Sequence, residues 1–271
     1  MGADLRRCAL DFEFTVANEL DVDLDSYFET FDPATPIAAG NAATRLEFRR
    51  ADDDFFELSI DGHLAFRTLD LAVLLHQTIW EITRRAVDAV SNCVVLHAAV
   101  VVLDGTQVLV SGPSGAGKST LTAALLALGS VYLTDEAVVV ERNGRLGAIV
   151  RRPIQLSAHS LAMLGLDDVV PLRLPDGSGY LPIPPHARRP GDDEAIAIVT
   201  LEGQAGPLTI RRPRRSELAA GLVRESFADH ALSQHGLEIV KELSTRCVHI
   251  ALSGGSVTER ANAVSILVQT P

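Results

Sequence analysis

The stretch from Thr106 to Leu128, TQVLVSGPSGAGKSTLTAALLAL, decides how the rest of the chain is read. Within it Gly112-Pro113-Ser114-Gly115-Ala116-Gly117-Lys118-Ser119 matches G-x-x-x-x-G-K-[ST] without a substitution, and Thr120 follows at once. Glycine admits positive φ and close backbone approach, so Gly112, Gly115 and Gly117 allow successive N–H groups to turn inward around phosphate oxygens. Lys118 then reaches the β- and γ-phosphates, and the Ser119 hydroxyl suits Mg²⁺. The flanks fit this reading. Val108-Leu109-Val110 is a short apolar run expected of a buried strand, and Leu121, Ala124, Leu125 and Leu128 recur at helical spacing after the loop. Strand, glycine loop and helix in succession aim a helix N-terminus at the anion. The competing account of the same residues is a glycine-rich strand-to-helix turn without a ligand.

The chain has 271 residues, 47% of them hydrophobic, enough for a sizeable core. A net charge of −11 argues against broad nucleic-acid binding, which needs a basic surface to displace counterions. The basic clusters Arg151-Arg152, Arg188-Arg189 and Arg211-Arg212-Pro213-Arg214-Arg215 are short and local. Cys8, Cys93 and Cys247 lie far apart with no metal-ligand spacing, and read as buried thiols in a reducing compartment. The first residues, MGADLRRCALDFEF, carry acid early and lack an apolar segment, so no signal peptide is expected. Arg6 stands where a myristoylation motif needs Ser or Thr. The run from Cys93 to Leu103 is too short to span a bilayer. These features predict a cytoplasmic protein.

Residues 1–92 read as a strand-rich region with a linking helix, and 93–271 as a nucleotide-binding domain. Alternation at Leu10, Phe12, Phe14 and Val16 and the run Phe55 to Ile60 predict strands, and Asp61-Gly62 predicts a hairpin turn to His63-Leu64-Ala65-Phe66. Asp32 to Gly40 has no period and reads as a loop. Leu71, Leu74, Leu75, Ile79, Ile82, Ala86 and Val90 predict a long helix. Val94 to Val102 is one β-rich run, joined through Asp104-Gly105 to the strand before the glycine loop. Val131 to Thr134 is a strand ending in Asp135-Glu136, and further strands are expected at 137–141 and 148–150. Gly165 to Gly191, rich in Pro, Gly and Asp, reads as a long surface loop of the kind that forms lids or substrate sites. Strands at 195–201, 208–211 and 247–252 and helices at 216–227, 237–244 and 257–268 complete the chain. Leu252-Ser253-Gly254-Gly255 is read as a strand-to-helix turn, and His230, His235 and His249 as surface histidines without metal spacing.

Phosphoryl transfer needs a carboxylate that holds the metal and a group that orients or deprotonates the nucleophile. Asp135-Glu136, at a strand end 16 residues after Ser119, is the candidate, its strand expected beside that of the glycine loop with both opening at one sheet edge. Two solvated acids in a turn is the plainer account. An arginine often stabilises the developing charge; Arg152 is taken first, with Arg211-Arg212 as the other candidate and surface charge as the alternative for both.

Leu96-His97-Ala98-Ala99-Val100, then GPSGAGKST, then Tyr132-Leu133-Thr134-Asp135-Glu136 resembles the HPr kinase/phosphorylase family, and more closely its small bacterial HPr-kinase-like relatives. The resemblance covers about residues 93–170 and, more loosely, the rest of the C-terminal part; the first ninety residues carry no matching motif. It implies a P-loop kinase core of the α/β class, with a mixed sheet of the HPr kinase/PEP carboxykinase type beside a small N-terminal α+β region. It also implies ATP-dependent phosphorylation of a serine hydroxyl. Under the resemblance His97 lies near the phosphates, Asp135 is the general base toward the acceptor serine, and Glu136 stands near Mg²⁺ with Ser119. Taken by itself, His97 reads as a buried strand histidine. The kinase/phosphorylases carry a Glu-x-x-Gly-type signature with Arg before the glycine, whereas Leu161 to Leu166 here has Ala162 and Leu164 at those places. Neither phosphorylase activity nor HPr as acceptor is therefore expected. Several short relatives phosphorylate the C-terminal serine of ribosomally made peptides, lasso peptides among them. Such a peptide, a small-molecule hydroxyl, and a nucleotide-gated assembly protein with little catalysis are the alternatives, and a homo-oligomer is compatible with each.

Overall fold

A computed structural model describes residues 5–9, 12–20, 22–33, 43–170, 172–183, 195–203, 205–227 and 234–269. The chain is mixed α/β and divides into two compact units, Met1–Val90 with Val150–His186, and Ser91–Ile149 with Ala187–Pro271. The division expected after residue 92 falls at Val90. Residues 93–271 are not one continuous domain, because 150–186 pack with the first unit.

The first segment carries β1 (Leu5–Ala9), β2 (Phe12–Asn18), α1 (Asp25–Phe28), β3 (Asp32–Pro33), β4 (Thr44–Arg50), β5 (Phe56–Ile60), β6 (His63–Thr68) and α2 (Leu71–Ala89). The second carries β7 (Val94–His97), β8 (Ala99–Leu103), β9 (Thr106–Ser111), α3 (Lys118–Ala127), β10 (Val131–Thr134), β11 (Ala137–Val140) and β12 (Leu146–Val150). Then follow β13 (Ile154–Leu156), α4 (Ala158–Leu164) and β14 (Gly179–Leu181). The last segment holds β15 (Ala195–Gly203), β16 (Thr209–Arg211), α5 (Arg215–Arg224), α6 (Gln234–Arg246), β17 (Val248–Ser253) and α7 (Val257–Gln269).

In the first unit six strands form one sheet in the order β3-β1-β2-β4-β5-β6, antiparallel except for β2 with β4. Asp61 and Gly62 both take positive φ, 51° and 79°, the pair that a two-residue hairpin with the right-handed strand twist requires. Phe14, Phe28, Phe31 and Phe48 are fully buried, with Phe14 edge-on to Phe31 at 5.3 Å. Helix α2 buries Leu74, Leu75, Ile79, Ile82 and Ala86 on one face, and the Asp70 carboxylate accepts from the N–H groups of Ala72 and Val73 at 2.8 and 3.2 Å. The loop expected from Gly165 onward contains a strand, since β14 pairs with β13, and it begins where Gly165 closes α4 in the left-handed conformation. The remainder of that expected loop, 171 and 184–191, lies outside the described residues, as do 34–40 of the loop expected at 32–40, whose first two residues form β3 instead.

The second unit is built on a mixed sheet in the order β10-β8-β9-β15-β17-β16. Strands β9, β15 and β17 run parallel, and β8 is antiparallel to both of its neighbours. Helices α3 and α7 pack together, α3 against β8, β9 and β10. Leu218 and Leu222 of α5 and Ile239, Val240 and Leu243 of α6 join Leu109, Ile196 and Ile198 in one core cluster. With both faces covered, the central strands are apolar along their length rather than alternating, as Ala99 to Leu103 shows by being wholly buried. The expected single run from Val94 to Val102 is two strands: it breaks at Ala98, and β7 joins a second sheet, β12-β11-β7. Strands β10 and β11 break likewise at Asp135-Glu136. Strand β10 is not next to β9 as expected, because β8 lies between them. Two antiparallel steps still leave β9 and β10 pointing the same way, so their C-terminal ends share an edge with the start of β8. Among the described residues no helix is long and apolar enough to cross a membrane.

Candidate functional site

The chain leaves β9 at Ser111 and turns through Gly112, whose φ of 142° and whose surroundings both demand glycine. A Cβ there would stand 2.7 Å from the Leu201 carbonyl oxygen. Gly115 and Gly117 take φ of 78° and 96°, and Gly117 occupies the left-handed N-cap of α3. Between them Ala116 donates its N–H to the Pro113 carbonyl at 3.1 Å. The loop therefore curls over the start of α3, where unpaired helical N–H groups and the helix dipole favour an anion.

Lys118 is buried, and its Nζ donates to the Gly112 carbonyl at 2.7 Å, closing the loop on itself. Burial lowers its pKa, opposed by the carboxylates of Glu225, Glu136 and Asp135. One cation thus faces three carboxylates. Ser119 donates its hydroxyl to Asp135 Oδ2 at 3.2 Å, and Tyr132 donates its phenol to Asp135 Oδ1 at 3.2 Å. Residues three apart in a strand point to opposite faces, but a register shift between Tyr132 and Thr134 brings Tyr132 to the side of Asp135. Asp135 is only 2% exposed.

Glu136 is half-buried at the crease between the two sheets. Its N–H bonds the Thr134 hydroxyl at 3.2 Å, its carbonyl accepts from Ala98 N–H at 3.2 Å, and its Oε2 is 3.5 Å from His97 Nε2. The His97 N–H donates to the Glu225 carbonyl at 2.7 Å, and its ring lies 6.2 Å from that of Phe227. The predicted residues Lys118, Ser119, Asp135, Glu136 and His97 are thus brought together, and His97 is half-exposed rather than buried in the strand.

Arg152 is the remaining predicted residue. It belongs to the first unit, buried with Arg151, where burial and then the Arg152 charge lower the pKa of His76, whose Nδ1 is 2.9 Å from the Tyr180 hydroxyl. Arg211 is exposed and held by Glu202 and by Glu217, the latter at 2.6 Å. Ala162 and Leu164 sit on α4, also in the first unit.

Glu225 carries no motif and escapes a sequence reading, whereas Tyr132 and Thr134 fall within the quoted motif without a role read for either. A further polar chain runs from the end of β9: Ser111 Oγ lies 3.1 Å from Thr200 Oγ1, which lies 3.0 Å from His249 Nε2. Thr200 and His249 line a cavity of about 580 Å³ with Arg211, Glu202, Leu218 and Arg224. His249 is thus half-buried and hydrogen-bonded, not a surface histidine. Burial, and then the Arg211 charge, lower its pKa to about 4 against Glu202 and Glu217. Cys93 and Cys247 are half-buried rather than buried, and burial raises the Cys247 thiol to about 11.

Among the described residues no group of three His, Cys, Asp or Glu is arranged to hold a metal by itself. The donor set of hydroxyl and carboxylate at Ser119 and Asp135 suits Mg²⁺, which takes one or two protein oxygens and completes its shell with phosphate and water. Compared with models of known protein families and with curated proteins, the chain matches none.

Proposed function

We propose that the chain is an ATP- and Mg²⁺-dependent kinase that transfers the γ-phosphoryl group to a serine hydroxyl of a peptide or protein. The observation that carries this reading is the hydrogen bond from Ser119 to Asp135 at 3.2 Å. It joins the end of the glycine loop to the acid of β10, as metal-assisted phosphoryl transfer requires. Gly112 to Thr120 cradle the phosphates, and Lys118 neutralises the transferred group. Mg²⁺, when bound, offsets charge on the phosphate oxygens and leaves them open to attack. Asp135, buried beside Ser119, is suited to support the metal. Glu136, less buried and paired with His97, is suited to take the acceptor proton. This division reverses the roles that the resemblance implies for the two acids. As the serine oxygen bonds to the γ-phosphorus, its proton passes to Glu136, the bond from that phosphorus to the bridging oxygen breaks, and ADP leaves.

Intact-mass analysis of peptides encoded beside the gene, incubated with Mg-ATP, tests the reading. The expected result is a gain of one phosphate with the wild type and none with Glu136→Gln. ATP bound in a Lys118-dependent way, with no gain on any peptide or small hydroxyl compound, would replace the kinase with a nucleotide-gated binding protein.

A further inference from the structure

Arg260, in the first turn of α7, is only 5% exposed. Among the described residues no carboxylate pairs with it. Its guanidinium instead donates to three backbone carbonyls: Nε to Gly254 at 2.7 Å, Nη2 to Gly203 at 2.5 Å and Nη1 to Ala116 at 3.5 Å. These carbonyls belong to the ends of three neighbouring parallel strands. Ala116 follows β9 within the glycine loop, Gly203 ends β15, and Gly254 follows β17. A buried cation without a counter-ion is costly, and the planar guanidinium, with five donors fixed in direction, reaches carbonyls at the ends of three strands from one side chain.

The surroundings make the clamp rigid. Gly254 has φ of 61°, and a Cβ on it would stand 2.2 Å from the Pro207 carbonyl oxygen, so the β17–α7 turn is tied to the segment after β15. Ser256 and Glu259 cap α7 reciprocally: Glu259 N–H donates to Ser256 Oγ at 3.2 Å, and Ser256 N–H donates to the Glu259 carboxylate at 2.7 Å. Ala116, by contrast, lies between two glycines with left-handed backbones, the part of the loop that its own sequence restrains least.

We propose that Arg260 is the positioning residue of the glycine loop. By holding the Ala116 carbonyl away from the ligand side, it keeps the neighbouring N–H groups aimed at the phosphates and supplies a positive charge behind them. This rests on the nucleotide-binding reading above.

The test uses the full chain with Arg260→Gln and Arg260→Lys, beside Lys118→Ala. Two quantities are read: amide hydrogen exchange of the peptide spanning 112–119 without ligand, and affinity for ATP by displacement of a fluorescent ATP analogue. Arg260→Gln is expected to speed exchange in 112–119 but not in β9 or β15, and to weaken ATP binding by about tenfold or more, the cost of losing charge-assisted bonds. Arg260→Lys, which keeps the charge but not the fork, is expected to recover part of both. In turnover the loss appears in KM for ATP rather than in kcat. Wild-type exchange and affinity in a folded Arg260→Gln overturn the inference. Where Arg260→Gln does not fold, Arg260→Lys decides by the same two readings. If the wild type itself fails to bind ATP, the nucleotide reading falls, and loop exchange alone judges the clamp.

Discussion

Asp135 and Glu136 are neighbours in sequence with different surroundings. Asp135 is enclosed and holds two hydroxyl donors, whereas Glu136 faces His97 at the crease. Asp135→Asn should therefore weaken the Mg²⁺ dependence of ATP binding by about tenfold or more, because it removes an oxygen that orients the metal's serine ligand. Glu136→Gln should leave ATP affinity near wild type and lower kcat by about 10²- to 10⁴-fold, the usual share of a general base. Titrating Mg²⁺ in a binding assay and measuring single turnovers separates the two; the opposite pattern would restore the roles that the resemblance implies. Gly112→Ala should destabilise by about 1–3 kcal/mol, read as a lowered melting temperature, since its φ and the Leu201 carbonyl both reject a Cβ. His249 carries a pH signature. Its folded pKa, about 4, lies below its ordinary 6.5, so between these values the unfolded chain binds the extra proton. Its contribution to stability is complete above about 6.5 and is lost as pH falls toward 4. Melting curves across that window should flatten in His249→Gln. The motif residues were legible because their chemistry is local. Glu225 and Arg260 were not, because Glu225 acts on Lys118 and Arg260 on Ala116, partners brought near only by the fold.

Turn chemistry carried the hairpins. Asp61-Gly62 and Asp104-Gly105 both adopt paired positive φ and join β5 to β6 and β8 to β9, as their sequence demands. The long helix α2 was equally legible from its apolar period, and Asp70 marks its start. Asp70→Ala should cost about 1 kcal/mol, seen as a lower denaturant midpoint at an unchanged slope, because two first-turn N–H groups lose their acceptor. The break between β10 and β11 at Asp135-Glu136 was legible, but the break at Ala98 was not. Val94 to Val102 is apolar throughout, and an unbroken apolar run carries no period to show where one sheet hands over to another. That hidden bend matters, because it sets His97 and Glu136 side by side where a straight pair of strands would carry them past each other.

Two segments far apart in sequence make the first unit. The Thr30 hydroxyl accepts from Ile183 N–H at 3.1 Å, and His76 meets the Tyr180 hydroxyl, so residues 150–183 find hydrogen-bond partners and packing in residues 1–90. A fragment of residues 91–271 should therefore lose cooperative unfolding and bind a hydrophobic dye, checked by thermal melting followed with circular dichroism and dye fluorescence. A sharp single transition in that fragment would show that 150–183 do not need the first ninety residues. The sequence by itself determined the glycine loop, the order of nearly all the strands and helices, and the acids that follow β10, because spacing, period and turn residues act over a few positions. Tertiary structure alone decided that β8 separates β9 from β10, that 150–186 leave the second unit, that Arg152 lies in the other unit from the loop, and that Arg260 reaches Ala116. Those outcomes depend on which apolar faces find each other across the whole chain, and no local pattern encodes that choice.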